Sequence, residues 1–148
     1  MKKILDKELN KIEIVTGKNK AEFEKLLNNL WQGATLADCK KDARKTIQFL
    51  YKLDGEYVGL LTCSVRNEYV AGCHGKHVGY IEGIYILNKY RNKKIATELL
   101  AYFENWARKK GIKEIASDVE IDNTASLQFH QKVGFQVVEK AIHLKKSL

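Results

Sequence analysis

The chain has 148 residues, 45% of them hydrophobic and 30% charged, with a formal net charge of +8. That is enough for one domain with its own core, read here as a single unit over 1–148, and no apolar run nears the roughly 20 residues of a membrane span. The opening Met1-Lys2-Lys3-Ile4-Leu5-Asp6-Lys7-Glu8 is basic but lacks the apolar core of a signal peptide, because Asp6 and Glu8 interrupt it, so a cytoplasmic protein is expected.

There is no proline, Gly/Ser linker, repeat or low-complexity segment to divide the chain. Lys11 to Thr16 alternates as a first strand. Lys20 to Trp31 places Phe23, Leu26, Leu27 and Leu30 on one helical face, with Gly33 as a stop. Leu36 to Lys45 reads as a shorter helix. Thr46 to Leu53 and Glu56 to Arg66 are strands around Asp54-Gly55, a hairpin signal. Asn67 to His77 reads as a loop, and His77 to Leu87 as a long strand. The strongest helix starts at Ile95, with Leu99, Leu100, Phe103, Trp106 and Ala107 in one stripe and Gly111 as its end. Ile112 to Val119 is a strand, Asn123 caps a helix through Lys132, and Gly134 stops it. Phe135 to Leu144 is expected to supply one or two closing strands. An antiparallel run followed by strand–helix–strand gives an α+β class with a mixed sheet and a right-handed crossover.

Cys39, Cys63 and Cys73 are odd in number and match no zinc spacing, so neither a disulfide nor a metal is expected. The positive charge attracts polyanions. It is dense at Lys89 to Lys94, and recurs at Arg108-Lys109-Lys110 and at Lys145-Lys146. The last two suit solvated ends and a helix C-terminus. No face combines clustered Lys/Arg with stacking aromatics, so a nucleic-acid partner is not expected.

The chemistry concentrates between Gly79 and Ala96. Glu82 lies within the apolar strand Tyr80-Ile81-Glu82-Gly83-Ile84, where a carboxylate needs either a partner, a purpose or a solvated face. The basic turn Asn88 to Lys94 then feeds a helix start whose free amides suit an anion, although a solvated basic turn reads the same way. Strand backbone at Ile84 to Ile86 can hydrogen-bond an extended amide chain where a sheet splays. Asp118 ends the next strand, where α/β sites collect and where turn residues also sit. His130 is either a packed histidine or a proton donor.

Together these residues resemble the GCN5-related N-acetyltransferase superfamily, with Arg91-Asn92-Lys93-Lys94-Ile95-Ala96 in the position of its pyrophosphate loop. Lys94 replaces the usual first glycine of that loop, and His130 stands in place of the usual tyrosine. Ser64 to Gly72, Tyr80 to Ile84 and Ala116-Ser117-Asp118 resemble the aminoglycoside 6′-N-acetyltransferases, over roughly Tyr57 to Lys146. The resemblance implies a mixed, mostly antiparallel sheet flanked by about four helices and splayed at its central strands. It also implies a homodimer, acetyl-coenzyme A as co-substrate and an aminoglycoside acceptor. Trp31, Tyr69, Glu82, Asp118 and Glu139 would line the acceptor site, with Glu82 and Asp118 catalytic. Ile84, Tyr85 and Ile86, the run Asn92, Lys93, Lys94, Ile95, Ala96 and Thr97, and Asn123 would hold the cofactor.

The chemistry of the acceptor agrees with this. Several ammonium groups call for carboxylates to pair with them, and one amine must lose a proton before it attacks. A strand N–H near Ile84 would meet the developing oxyanion. Another amine acceptor, such as a polyamine or a protein N-terminus, is the alternative.

Overall fold

A computed structural model describes residues 11–40 and 45–148. The leader reading at the N-terminus and Lys41 to Arg44 of the predicted second helix lie outside the described residues. Five strands form one sheet in sequence order: β1 (Ile12–Ile14), β2 (Lys45–Leu53), β3 (Glu56–Arg66), β4 (Val78–Ile86) and β5 (Ile115–Ser117). All neighbours are antiparallel except β4 and β5, which are parallel and joined through a helix. The helices are α1 (Lys20–Leu30), α2 (Leu36–Cys39), α3 (Ile95–Lys109) and α4 (Thr124–Lys132). Among the described residues, the mixed, mostly antiparallel sheet with four α-helices is the architecture that the family resemblance implies.

Local chemistry sets the boundaries. Asp54 and Gly55 both adopt positive φ (49° and 80°), the geometry whose twist matches a tight hairpin between β2 and β3. Thr35 and Asp38 cap α2 reciprocally, each side chain accepting from the other's backbone N–H. At the end of α3, Gly111 at φ 77° lets its own N–H reach the Arg108 carbonyl and that of Ile112 reach the Ala107 carbonyl, both at 3.0 Å. That paired closure satisfies carbonyls a helix end leaves bare.

The core has two sides. Ile95, Leu99, Leu100 and Phe103 of α3 bury against Phe49, Leu61, Cys63, Ile81 and Ile86 on one sheet face. Phe23, Leu26 and Leu27 of α1 and Leu36 of α2 bury against Leu50 and Leu60 on the other. Each such side chain removed from water contributes about 1.5–3 kcal/mol.

Two predicted elements differ. The strand expected over Ile112 to Val119 is only Ile115–Ser117. Phe135 to Leu144 forms no strand. Its apolar content suits a strand, but a strand also needs a partner edge in register, and this segment pairs with none among the described residues. Val138 rests over Gly72, where an added Cβ would come within 2.7 Å of it. Ile142 and Leu144 remain 87% and 91% exposed.

Candidate active site

One extra residue in β4 builds the site. Thr62 pairs with Gly83 and Cys63 with Ile81, so Glu82 has no residue opposite it. This bulge breaks the usual alternation of the strand. Ile81, Ile84 and Ile86 enter the α3 core. The vector of Gly83 instead points at the end of α1, where an added Cβ would lie 2.7 Å from Leu30 and 2.9 Å from Trp31. Glu82 turns to the same side.

There Glu82 meets three donors on β3. The Ser64 hydroxyl donates to its Oε1, and Arg66 donates to the same oxygen from Nε (3.3 Å) and Nη2 (3.0 Å). Nη2 also reaches Oε2 at 3.0 Å. The Arg66 guanidinium lies 3.4 Å from the centroid of the Tyr80 ring. The Tyr80 hydroxyl donates to Asp118 Oδ2 at 2.6 Å. Burial and that carboxylate push the Tyr80 phenol well up, so it stays a donor. Ser64, Arg66 and Tyr80 were not anticipated as site residues. The signal available for the first two is the alternation of β3, which puts both on one face beside Glu82.

Of the other expected acceptor residues, Trp31 lies against Gly83, the neighbour of Glu82. Trp31 closes α1 through an N–H bond to the Leu27 carbonyl and is 39% exposed. Tyr69 is 82% exposed on the loop between β3 and β4. That loop is tied down where His74 and Gly75 N–H groups donate to Glu114 Oε1 at 2.8 and 2.6 Å. Glu139 is exposed on the C-terminal segment.

The residues expected to hold a cofactor begin where the sheet opens. Pairing of β4 with β5 covers only Gly79, Tyr80 and Ile81, ending at Ile81 opposite Ser117. The outer edge of β4 from Glu82 to Ile86 therefore has no strand beside it among the described residues. An extended amide chain fits such an edge. A short 3-10 turn, Asn88–Tyr90, leads to Asn92 and Lys94, both at positive φ (62° and 63°). Lys94 is the N-cap of α3 without a side-chain cap, which leaves the helix start to an external anion. The left-handed turn at Lys94 is a conformation that glycine adopts without strain. Arg91 is tied back, its Nε donating to the Ile86 carbonyl at 3.0 Å.

Asn123 caps α4, its Oδ1 accepting from the Ser126 N–H at 3.2 Å. His130 is buried beside Phe129 and Phe135. Its Nδ1 lies 2.7 Å from the Ser126 carbonyl, which can only accept, so Nδ1 carries the proton. Nε2 then accepts from the Ser117 hydroxyl at 2.9 Å. These contacts are those of a packed histidine. Burial raises the thiols of Cys39 and Cys63, so neither is poised as a nucleophile. Among the described residues no group of His, Cys, Asp and Glu could hold a metal ion, and no helix is long and apolar enough to cross a membrane.

A splayed β4/β5 junction, a left-handed turn feeding an uncapped helix, and carboxylates on the adjoining face define an acyltransferase-like site. Residues 13–135 match the acetyltransferase (GNAT) family model, and the chain belongs to that family. It is 35% identical over 127 residues to an aminoglycoside N(6')-acetyltransferase type 1 of Salmonella typhimurium, covering 82% of this chain and 88% of that protein. It is 33% identical over 132 residues to the protein of the same name from Acinetobacter haemolyticus, covering 86% and 91%. The fold superposes on AAC(6')-Iy, solved with the bisubstrate analogue CoA-S-monomethyl-acetylneamine, with a TM-score of 0.84 and 31% identity, covering 93% of this chain and 97% of that one.

Proposed function

We propose that this protein transfers the acetyl group of acetyl-coenzyme A to the 6′-amine of aminoglycoside antibiotics, and so confers resistance. The observation that carries the reading is the pair of carboxylates, Glu82 and Asp118, held on one face where β4 parts from β5. Relatives named for this activity and the AAC(6')-Iy complex support it.

Acetyl-coenzyme A supplies the acyl thioester. Backbone at Ile84, Tyr85 and Ile86 takes its amide chain. Asn92 to Thr97 take the pyrophosphate, with Lys93 and Lys94 adding charge, and Asn123 holds the far side. On the acceptor side, Trp31, Tyr69, Glu82, Asp118 and Glu139 surround the amino sugar. Glu82 and Asp118 pair with its ammonium groups, one carboxylate accepts the proton that the attacking amine must lose, and the coenzyme A thiolate leaves as the amide forms and takes up a proton from solvent. The Ile84 region offers an N–H to the oxygen of the reacting carbonyl. Attack is direct within a ternary complex, consistent with thiols that burial keeps protonated. The net charge of +8 favours the anionic co-substrate. It leaves the acceptor to local carboxylates, since exposed charges beyond about 8–10 Å are largely screened.

The reading includes a cytoplasmic homodimer. Exposed Val137, Val138, Ile142 and Leu144 on the C-terminal segment supply apolar surface that a second copy would cover. Sedimentation should give a dimer, and deleting 137–148 should give monomers. Wild-type monomers at micromolar concentration would remove the dimer from the reading.

The activity is tested by mixing pure protein with acetyl-coenzyme A and a panel of 6′-amino aminoglycosides, kanamycin included, and following free thiol. Release that depends on the aminoglycoside is expected. No release across the panel overturns the reading.

A further inference from the structure

We infer that Arg66 is a positioning residue that fixes both acceptor carboxylates and divides their work, leaving Asp118 to face the acceptor ammonium. The inference rests on the proposed acceptor site. One guanidinium touches both halves of it. Its edge binds Glu82 through Nε and Nη2 at 3.0–3.3 Å, and its face covers the Tyr80 ring at 3.4 Å. Tyr80 carries the link on to Asp118. The chain Glu82–Arg66–Tyr80–Asp118 thus crosses β3, β4 and the end of β5, at the point where the strands separate.

The charges in this chain are unequal. Glu82 Oε1 receives three donors, two of them from a cation, so little of that oxygen is left to take a proton. Asp118 accepts from a neutral phenol and forms no ion pair among the described residues. An incoming ammonium is therefore drawn to Asp118, while Glu82 serves as a fixed wall of the cleft. Only arginine does this, because it combines a planar fork for the carboxylate with a flat face for the ring. Lysine keeps the charge and loses both.

Steady-state kinetics of Arg66→Met, Arg66→Lys, Tyr80→Phe, Glu82→Gln and Asp118→Asn test the inference, with acetyl-coenzyme A binding measured by calorimetry. For Arg66→Met, kcat should fall on the order of 10-fold or more, because the carboxylates lose their setting. Its KM for the aminoglycoside should not rise, since bare carboxylates still attract a polycation. Binding of acetyl-coenzyme A should be unchanged. Arg66→Lys should keep the low kcat, and Tyr80→Phe should show a smaller fall in kcat. If Arg66→Met does not fold, Arg66→Lys and Tyr80→Phe carry the test. Wild-type kcat in Arg66→Met, or full recovery in Arg66→Lys, overturns the inference. So does a loss of acetyl-coenzyme A binding in the folded variants, which marks general damage. Full activity of both Glu82→Gln and Asp118→Asn overturns the acceptor-site reading and the inference together. An impaired Glu82→Gln beside a wild-type Arg66→Met overturns the inference alone.

Discussion

His130 and Ser117 lock α4 to the last strand of the sheet: Nε2 accepts from the Ser117 hydroxyl at 2.9 Å, and Nδ1–H is spent on the Ser126 carbonyl. Both ring nitrogens are used inside a buried site. His130→Ala would remove the link to the Ser117 hydroxyl and open a cavity between Phe129 and Phe135. Stability should fall by about 2–4 kcal/mol, read from urea denaturation. A variant of native stability would contradict the packed role.

Gly83 lies against Leu30 and Trp31 at distances no side chain can share. Gly83→Ala must displace the tips of the Leu30 and Trp31 side chains, at a cost of about 1 kcal/mol or more. Because Trp31 borders the proposed acceptor cleft, KM for the aminoglycoside should rise more than KM for acetyl-coenzyme A. Equal changes in both would separate Trp31 from the acceptor.

Lys94 combines a left-handed backbone with a charge at the start of α3. Lys94→Gly and Lys94→Ala both lose the charge, so both should raise KM for acetyl-coenzyme A several-fold. Only alanine keeps the strained backbone, so it should melt as the less stable of the two by about 1 kcal/mol. An unchanged KM in both would leave the lysine without a part in cofactor binding.

Glu114 anchors the loop bearing Tyr69. Backbone N–H groups of His74 and then Gly75 hold its carboxyl below the ordinary value of 4.5. A carboxyl lowered by folding adds stability above its unfolded pKa and loses it as pH falls through the folded one. The melting temperature of the wild type should therefore drop more steeply than that of Glu114→Gln on acidification below about pH 5. Parallel curves would show that the tether is not felt.

Much of this was legible in the sequence because local chemistry decided it. Asp54-Gly55 fixed one hairpin, Gly111 ended α3, and Phe23, Leu26 and Leu27 declared the buried face of α1. Glu82 stood out because carboxylates are rare in apolar strands. The bulge beside it was not legible, since an inserted residue shows only against the partner strand. Arg66 looked like an ordinary strand-end cation until β3 and β4 were in register. The closing strands failed for a related reason. Val137, Val138, Ile142 and Leu144 have the pattern of a strand, but pairing depends on an edge elsewhere in space. His130 was ambiguous because a packed imidazole and a proton donor have the same sequence signature.

The single unmatched residue at position 82 also constrains how such a protein can change. Glu82 belongs to the proposed acceptor wall, and the backbone two residues on belongs to the proposed carbonyl site. Any insertion or deletion in this stretch shifts both at once. Drift in antibiotic range is therefore channelled to the periphery: the end of α1, the loop bearing Tyr69 and the terminal segment bearing Glu139. A compound that grips the bulge itself would press on the part of the molecule least free to escape.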